Sequence, residues 1–479
     1  MQLLAFLGLA VVCHEAQGMS LGAMAPPTID EFDAAIHRQH ELHRMGVPPP
    51  PRQSKAARQA ALDKTSRIIQ EHNAQPNASF KMRYNAMSDF SDDEYSALLQ
   101  TKPDHVYTPE HAAAHHRWGP EVDVHASAQT TTTSYAESID WSTKDNGKYV
   151  TPVKNQGICG SCWAFTAASV LESMTAIASN TQAIPLSVEQ ILSCSSSLQH
   201  VSSAYPNKMI SSARGCDGGM TFLAFEYLKQ SEPHGLTCNA LSPYRMRVKA
   251  DPNAASSATC TSVDVVSKWS SSSSYLSIQN SYDDVMKALQ NGPLSISIDA
   301  SGAGFRHYGS GIYDASDCKS DGVTVDHAVM LMGYGATAAG ELYWIVRNSW
   351  GTMWGENGQM RMKRTPAAST SKFGPCNAFL YATQPTGLSY ESTSKCVTSP
   401  ASTSDEATLH YLPSSGLFYG VASALAALGV AGAIAGEWRL RSAFPKQTYV
   451  ESFLNHQLPN REQLVAHMAK KKIKADALV

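Results

Sequence analysis

Gln156-Gly157-Ile158-Cys159-Gly160-Ser161-Cys162-Trp163-Ala164-Phe165 is the stretch from which the rest of the chain is read. Ser161 is a candidate N-cap, and Phe165, Ala168, Leu171 and Ile177 fall near one face, so a helix is predicted over 161–178. Cys162 then stands at the helix start, where unpaired amides and the helix dipole favour negative charge and lower a thiol pKa. A thiolate attacks a carbonyl where a thiol hardly does. A lone cysteine at a helix start is more often structural than reactive, so this reading depends on partners elsewhere in the chain.

Thiolate chemistry needs a histidine to form the ion pair and to protonate the leaving amine. Of 17 histidines, His327 sits in the stretch best suited to that, Asp326-His327-Ala328-Val329, followed by Met330-Leu331-Met332-Gly333-Tyr334-Gly335. Arg347-Asn348-Ser349-Trp350-Gly351 comes next. An asparagine can accept the second imidazole N–H and fix the ring, and a tryptophan can cover that hydrogen bond from water. Residues 294–298 and 343–347 alternate as strands do. Helix first and strands later predicts an α+β protein with two segregated halves.

Taken in order, the segments QGICGSCWAF, DHAVMLMGYG and RNSWG resemble the papain family of cysteine proteases, whose signature includes C-G-[SA]-C-[WY] with His and Asn far downstream. The resemblance is to its cathepsin L-like members, made with an inhibitory prodomain. It implies a helical lobe and a β-barrel lobe with the cleft between them. It implies Cys162 as nucleophile, His327 as general acid/base and Asn348 as the orienting residue. Gln156 would donate its side-chain amide to the oxyanion beside the Cys162 N–H, and Trp350 would shield the His–Asn contact. Gly215-Cys216-Asp217-Gly218-Gly219 resembles the family's substrate-backbone segment, with Gly218 and Gly219 admitting an extended peptide. By position Met220, Thr221, Ser297, Ala328 and Tyr381 would line the main specificity pocket, narrowed and uncharged because of Tyr381. The family pattern also implies disulfides Cys159–Cys216, Cys194–Cys260 and Cys318–Cys376. Cys238 and Cys396 are left over, and the sequence leaves open whether they are joined or free. The reaction implied is endopeptidase hydrolysis of peptide and protein substrates through an acyl-enzyme, with no cofactor and no metal. No His-bearing occluding segment of the kind that marks exopeptidases follows Gly219, which favours endopeptidase over exopeptidase. Transpeptidation uses the same residue types. A non-catalytic binding protein on this fold would have lost one of the four catalytic positions, and all four are intact. The stretch between Cys194 and Cys216 is longer than the family's and reads as a serine-rich surface loop.

The flanks carry their own signals. Residues 3–12 form an uncharged apolar run followed by Ala16-Gln17-Gly18, the pattern of a signal peptide at 1–18. Residues 19–133 read as the prodomain and its linker, 134–386 as the peptidase and 387–416 as a stalk. Pro48 to Pro51 break any helix. Arg58, Leu62, Thr65, Ile69 and Asn73 share a helical face. They partly resemble the interspersed motif of the family's prodomain, with Leu62 and Thr65 departing from the usual Phe and Asn. Asn85, Met87 and Asp89 resemble its second motif. The implied prodomain blocks the cleft until cut near 128–137, and its histidines suggest release at low pH. Asn77-Ala78-Ser79 is the one glycosylation sequon. Residues 417–436 carry no charge over a length that spans a bilayer, and Arg439, Arg441 and Lys446 follow. A transmembrane helix at 417–436 and a cytoplasmic tail at 437–479 are expected, with the catalytic part in a lysosome- or vacuole-like lumen or outside the cell. A net charge of −3 argues against nucleic acid as the partner.

Overall fold

The computed structural model describes residues 26–42, 53–101, 135–195, 199–201, 209–230, 234–245, 260, 264–278, 281–365, 372–391 and 396. The expected signal peptide, the linker at 104–133, the span at 417–436 and the tail lie outside the described residues. No helix among the described residues is long and apolar enough to cross a membrane.

The predicted helix is present as Cys162–Ser179, and fourteen of its eighteen residues are buried. A helix apolar on nearly every face belongs inside a core. Helices Val188–Cys194 and Thr221–Gln230 pack against it. Beneath it Glu172 is buried but fully partnered: it accepts from Thr151 Oγ1 at 2.6 Å, Lys154 Nζ at 2.5 Å and the Leu186 amide at 2.7 Å. A charge this deep persists only with such a set of donors. The expected cap is absent: Ser161 makes no capping bond, and its hydroxyl turns back to the Cys159 carbonyl. The Cys159–Cys216 bridge sits immediately before the helix.

The other half is a nine-stranded, mostly antiparallel sheet. Its long strand, His327–Ala336, runs between Leu294–Ile298 and Leu342–Arg347. The observed strand path is open, ending at Phe80–Met82 on one side and Ser274–Ser277 on the other, so the implied barrel is not closed among the described residues. Phe80–Met82 belongs to the prosegment. It pairs with Tyr308–Gly311 and supplies an edge strand to the sheet.

The prosegment helix spans Lys55–Asn73 and is capped by Ser54, whose side chain accepts from the Ala57 amide. Leu62 is completely buried against Ile29 and Phe32 of a preceding helix, Ile29–Leu42, so Phe32 supplies the aromatic bulk that Leu62 lacks. Arg58 bonds Asp33 and Asp89, and Asn73 clamps Met82 through both its amide and its carbonyl. Burial pushes the Asp89 carboxyl up, although the Arg58 guanidinium pulls it down. Asn77 is exposed on the turn that follows.

All three implied disulfides are present, and Cys238 is joined to Cys396. The serine-rich stretch after Cys194 holds a two-stranded hairpin, Gln199–Val201 with Met209–Ser212, where only a loop was expected.

Candidate active site

Cys162 is the first residue of the central helix and the one free cysteine among the described residues. His327 opens the long strand, and its Nε2 lies 2.8 Å from Asn348 Oδ1. Trp350 stacks on the imidazole with centroids 4.7 Å apart, and Phe305 meets it edge-on at 5.9 Å. The asparagine therefore fixes the ring through one nitrogen and leaves Nδ1 uncommitted; that atom is buried without a hydrogen-bond partner. Gln156 is held from three sides. Its amide N–H donates to the Ser349 carbonyl, its Oε1 accepts from Ser349 Oγ at 2.7 Å, and its carbonyl accepts from Tyr244 at 2.8 Å.

A short piece of prosegment fills the cleft. Gln156 Nε2 donates to the Leu98 carbonyl at 3.3 Å and to the Cys159 carbonyl at 2.9 Å. The Gly219 amide donates to the Gln100 carbonyl at 3.3 Å, and the Thr101 amide donates to the Asp326 carbonyl at 2.9 Å. Thr101 Oγ1 stands 3.1 Å from the Cys162 sulfur. Gly218, at φ +113°, has no room for a side chain beside the Gln100 carbonyl, and a Cβ on Gly219 would meet the Trp163 ring at 2.8 Å. These glycines let a backbone lie against the wall.

This covering reverses the expected electrostatics. Burial pushes the Cys162 thiol up, and the Thr101 hydroxyl with the Ala328 and other backbone amides offsets this only in part. Burial also pulls His327 down to about 4, against the pull of Asn348 and Asp326. Both groups are therefore neutral here, because a desolvated pocket disfavours either charge. The helix start does not supply a thiolate while the plug is in place.

Met220, Thr221, Ser297, Ala328 and Tyr381 are all buried, and Met220, Ala328 and Tyr381 share one apolar cluster. The motifs gave no sign of Leu98, Gln100, Thr101 or Ser349 as site residues. Ser349 stood beside Asn348 in the quoted segment and was legible there as a neighbour only.

The described geometry is that of a two-lobed protein with a cysteine, a histidine–asparagine pair and an amide donor gathered in one cleft under its own prosegment. Residues 135–379 match the papain family cysteine protease domain, and residues 52–95 match the cathepsin propeptide inhibitor domain (I29). The chain belongs to the papain family of cysteine proteases. It is 35% identical over 52% of its length to the senescence-specific cysteine protease of Arabidopsis thaliana, a match that spans 62% of that relative. A thiol protease of a Hemerocallis species is 31% identical over 67% of this chain and 77% of its own. Among solved structures, the proform of the ragweed pollen allergen Amb a 11 cysteine protease superposes with a TM-score of 0.53 at 25% identity, covering 74% of this chain and 94% of that one. The recombinant stem bromelain precursor gives 0.52 at 25%, covering 76% and 100%.

Proposed function

We propose that the chain is a cysteine endopeptidase made as a self-inhibited precursor, with Cys162, His327, Asn348 and Gln156 as its catalytic set. The observation that carries this is the Leu98–Thr101 plug, which occupies the thiol, the amide donor and the glycine wall at once. Once the plug leaves, His327 Nδ1 takes the thiol proton and the thiolate attacks the scissile carbonyl. The oxyanion then meets Gln156 Nε2 and the Cys162 N–H, which the first helical residue does not spend inside the helix. Asn348 keeps the imidazolium turned toward the reacting centre, and the imidazolium protonates the leaving amine. Water, activated by the same imidazole, resolves the acyl-enzyme. The buried, uncharged set Met220, Thr221, Ser297, Ala328 and Tyr381 supports an apolar pocket for the acyl side. The four disulfides support a secretory route, since such bonds persist outside the reducing cytosol. The charge-free run at 417–436 supports a membrane tether.

The test is labelling of the full chain, in mild detergent at pH 5, by a thiol-reactive peptidyl epoxide beside a Cys162→Ala version. Labelling of the wild type alone, with loss of the prosegment, is expected. No labelling after the prosegment has been removed would defeat the reading.

A further inference from the structure

Arg306 ends a short helix, Ala303–Arg306, and is 7% exposed. Its guanidinium has no side-chain partner within the peptidase part among the described residues. Nη2 donates to the carbonyls of Met87 at 2.8 Å and Phe90 at 2.6 Å, and Nη1 approaches Asp92 Oδ1 at 3.4 Å. The Tyr95 ring lies 4.7 Å from the guanidinium carbon. All four partners belong to the prosegment, and Nε is buried with no partner at all. When the prosegment leaves, every one of these contacts goes with it.

The position of this cation relative to the chemistry follows from its neighbours. Phe305, one residue earlier, packs edge-on against both His327 and Trp350. Tyr95 in turn packs against Trp350. Along the prosegment Tyr95 meets Arg306, Leu98 meets the amide donor Gln156 and Gln100 meets Gly219, so Arg306 lies beyond the amide donor from the glycine wall. The glycine wall and the pocket beside it take the acyl half, which leaves the Arg306 end of the cleft to the leaving half of a substrate. A cavity of about 320 Å³ adjoins it; the prosegment forms most of its lining, and Ser301, Ala303, Arg306, His307 and Asp326 form the peptidase side that remains when the prosegment leaves. Of the acids lining that cavity, Asp92 departs with the prosegment. Asp326 stays, with its carboxylate accepting the Ala300 amide at 2.8 Å.

We propose that in the mature enzyme Arg306 is a specificity-determining residue that recognises a carboxylate on the leaving half of the substrate. This rests on the protease reading above. The prosegment already presents oxygen acceptors to the guanidinium, two carbonyls and one carboxylate, and so outlines the ligand. Guanidinium pairs with planar carboxylates in a fork geometry that amides and amines do not match. The carboxylate comes either from an Asp or Glu side chain just beyond the scissile bond or from a free chain terminus.

The experiment uses the full chain after activation and a set of internally quenched peptides with one constant acyl half. The first and second leaving-side positions carry Glu, Gln or Lys, each made both as the C-terminal amide and as the free acid. The readout is the ratio of kcat/KM for Glu over Gln within each enzyme, so that any general loss cancels. The ratio is expected to be about tenfold or more in the wild type, as for a charge-assisted hydrogen bond, and to fall as salt rises. Arg306→Gln brings it to about one, and Arg306→Lys keeps part of it. An advantage confined to the free-acid peptides assigns the carboxylate to the chain terminus. A ratio near one in the wild type, or one that survives Arg306→Gln, overturns the inference and leaves the protease reading intact. No cleavage of any peptide removes both together. If neither variant accumulates, the salt dependence of the wild-type ratio decides alone.

Discussion

The prosegment touches the peptidase part in two regions that are built differently. Where it docks, at residues 80–95, it contributes a β-strand, the buried Phe80 against Tyr308 and Tyr313, and the Tyr95 hydroxyl donating to the Ala300 carbonyl at 2.7 Å. Where it plugs, at residues 98–101, its main chain accepts from the Gln156 side chain and the Gly219 amide and donates to the Asp326 carbonyl. The Thr101 hydroxyl and Gln100 amide meet the Cys162 sulfur, and Leu98 and Leu99 are buried in the same apolar cluster as Phe80. The dock adds a strand and aromatic surface away from the thiol, and the plug lies on the thiol itself. Blocking the site therefore need not rest on the plug's own contacts, because a neighbouring segment is held for other reasons.

The sharpest way to break that division is Phe80→Ala. Truncating a buried Phe costs about 3–5 kcal/mol, which should raise the rate of epoxide labelling of Cys162 in the precursor by roughly a hundredfold or more. If labelling does not change, the dock is not what holds the plug. Acidity comes next. His327 is pulled down to about 4 in the plugged state, and 6.5 is its ordinary value. In a Cys162→Ala precursor, where no thiol proton can pass to the ring, the released form binds between those values a proton that the plugged form refuses, so release is favoured as pH falls, by up to about tenfold per pH unit. Asp326 faces the imidazole and limits the effect. Hydrogen exchange at the Gly219 and Thr101 amides in a Cys162→Ala precursor should show protection falling from pH 6.5 to 4; protection flat across that window would refute the linkage. The thiol acts in the opposite direction: burial raises its pKa, so alkaline pH also favours release.

Tyr95→Phe removes one buried hydrogen bond and strands the Ala300 carbonyl, a loss of about 1–2 kcal/mol. Labelling should quicken by roughly tenfold, midway between the extremes. Thr101→Val is the smallest change, because the hydroxyl meets only a thiol, a weak partner. Less than about a threefold change is expected, and a larger one would mean that the plug holds itself.

The same division explains what could be read from the sequence. Cys162, His327, Asn348 and Gln156 lie in segments where each residue type has a chemical reason to recur, and the fold brought all four together. The dock was half legible: Asn85, Met87 and Asp89 matched a pattern, and Asn85 donates to the Arg306 carbonyl at 2.8 Å. The plug was not legible. Leu98 and Gln100 act through their main-chain carbonyls, which no side-chain pattern records. Arg306 was missed for a related reason, since its partners lie more than two hundred residues away. The neutral thiol was missed because helix position sets a tendency that burial then overrides. The Leu62 departure from the motif is matched by Phe32, on a helix with no motif of its own, which packs against it.

The Cys238–Cys396 bond has a mechanical meaning. Past the final strand pair, Ser389–Tyr390 against Ser267–Lys268, the polypeptide is stitched to Cys238, whose neighbourhood is bridged to Leu186. A pull on the chain beyond residue 396 is thus delivered through sulfur to the helical half of the enzyme. The short strand pair therefore has a covalent anchor behind it, and a cut anywhere in 392–395 would leave both pieces travelling together until a reductant parts them.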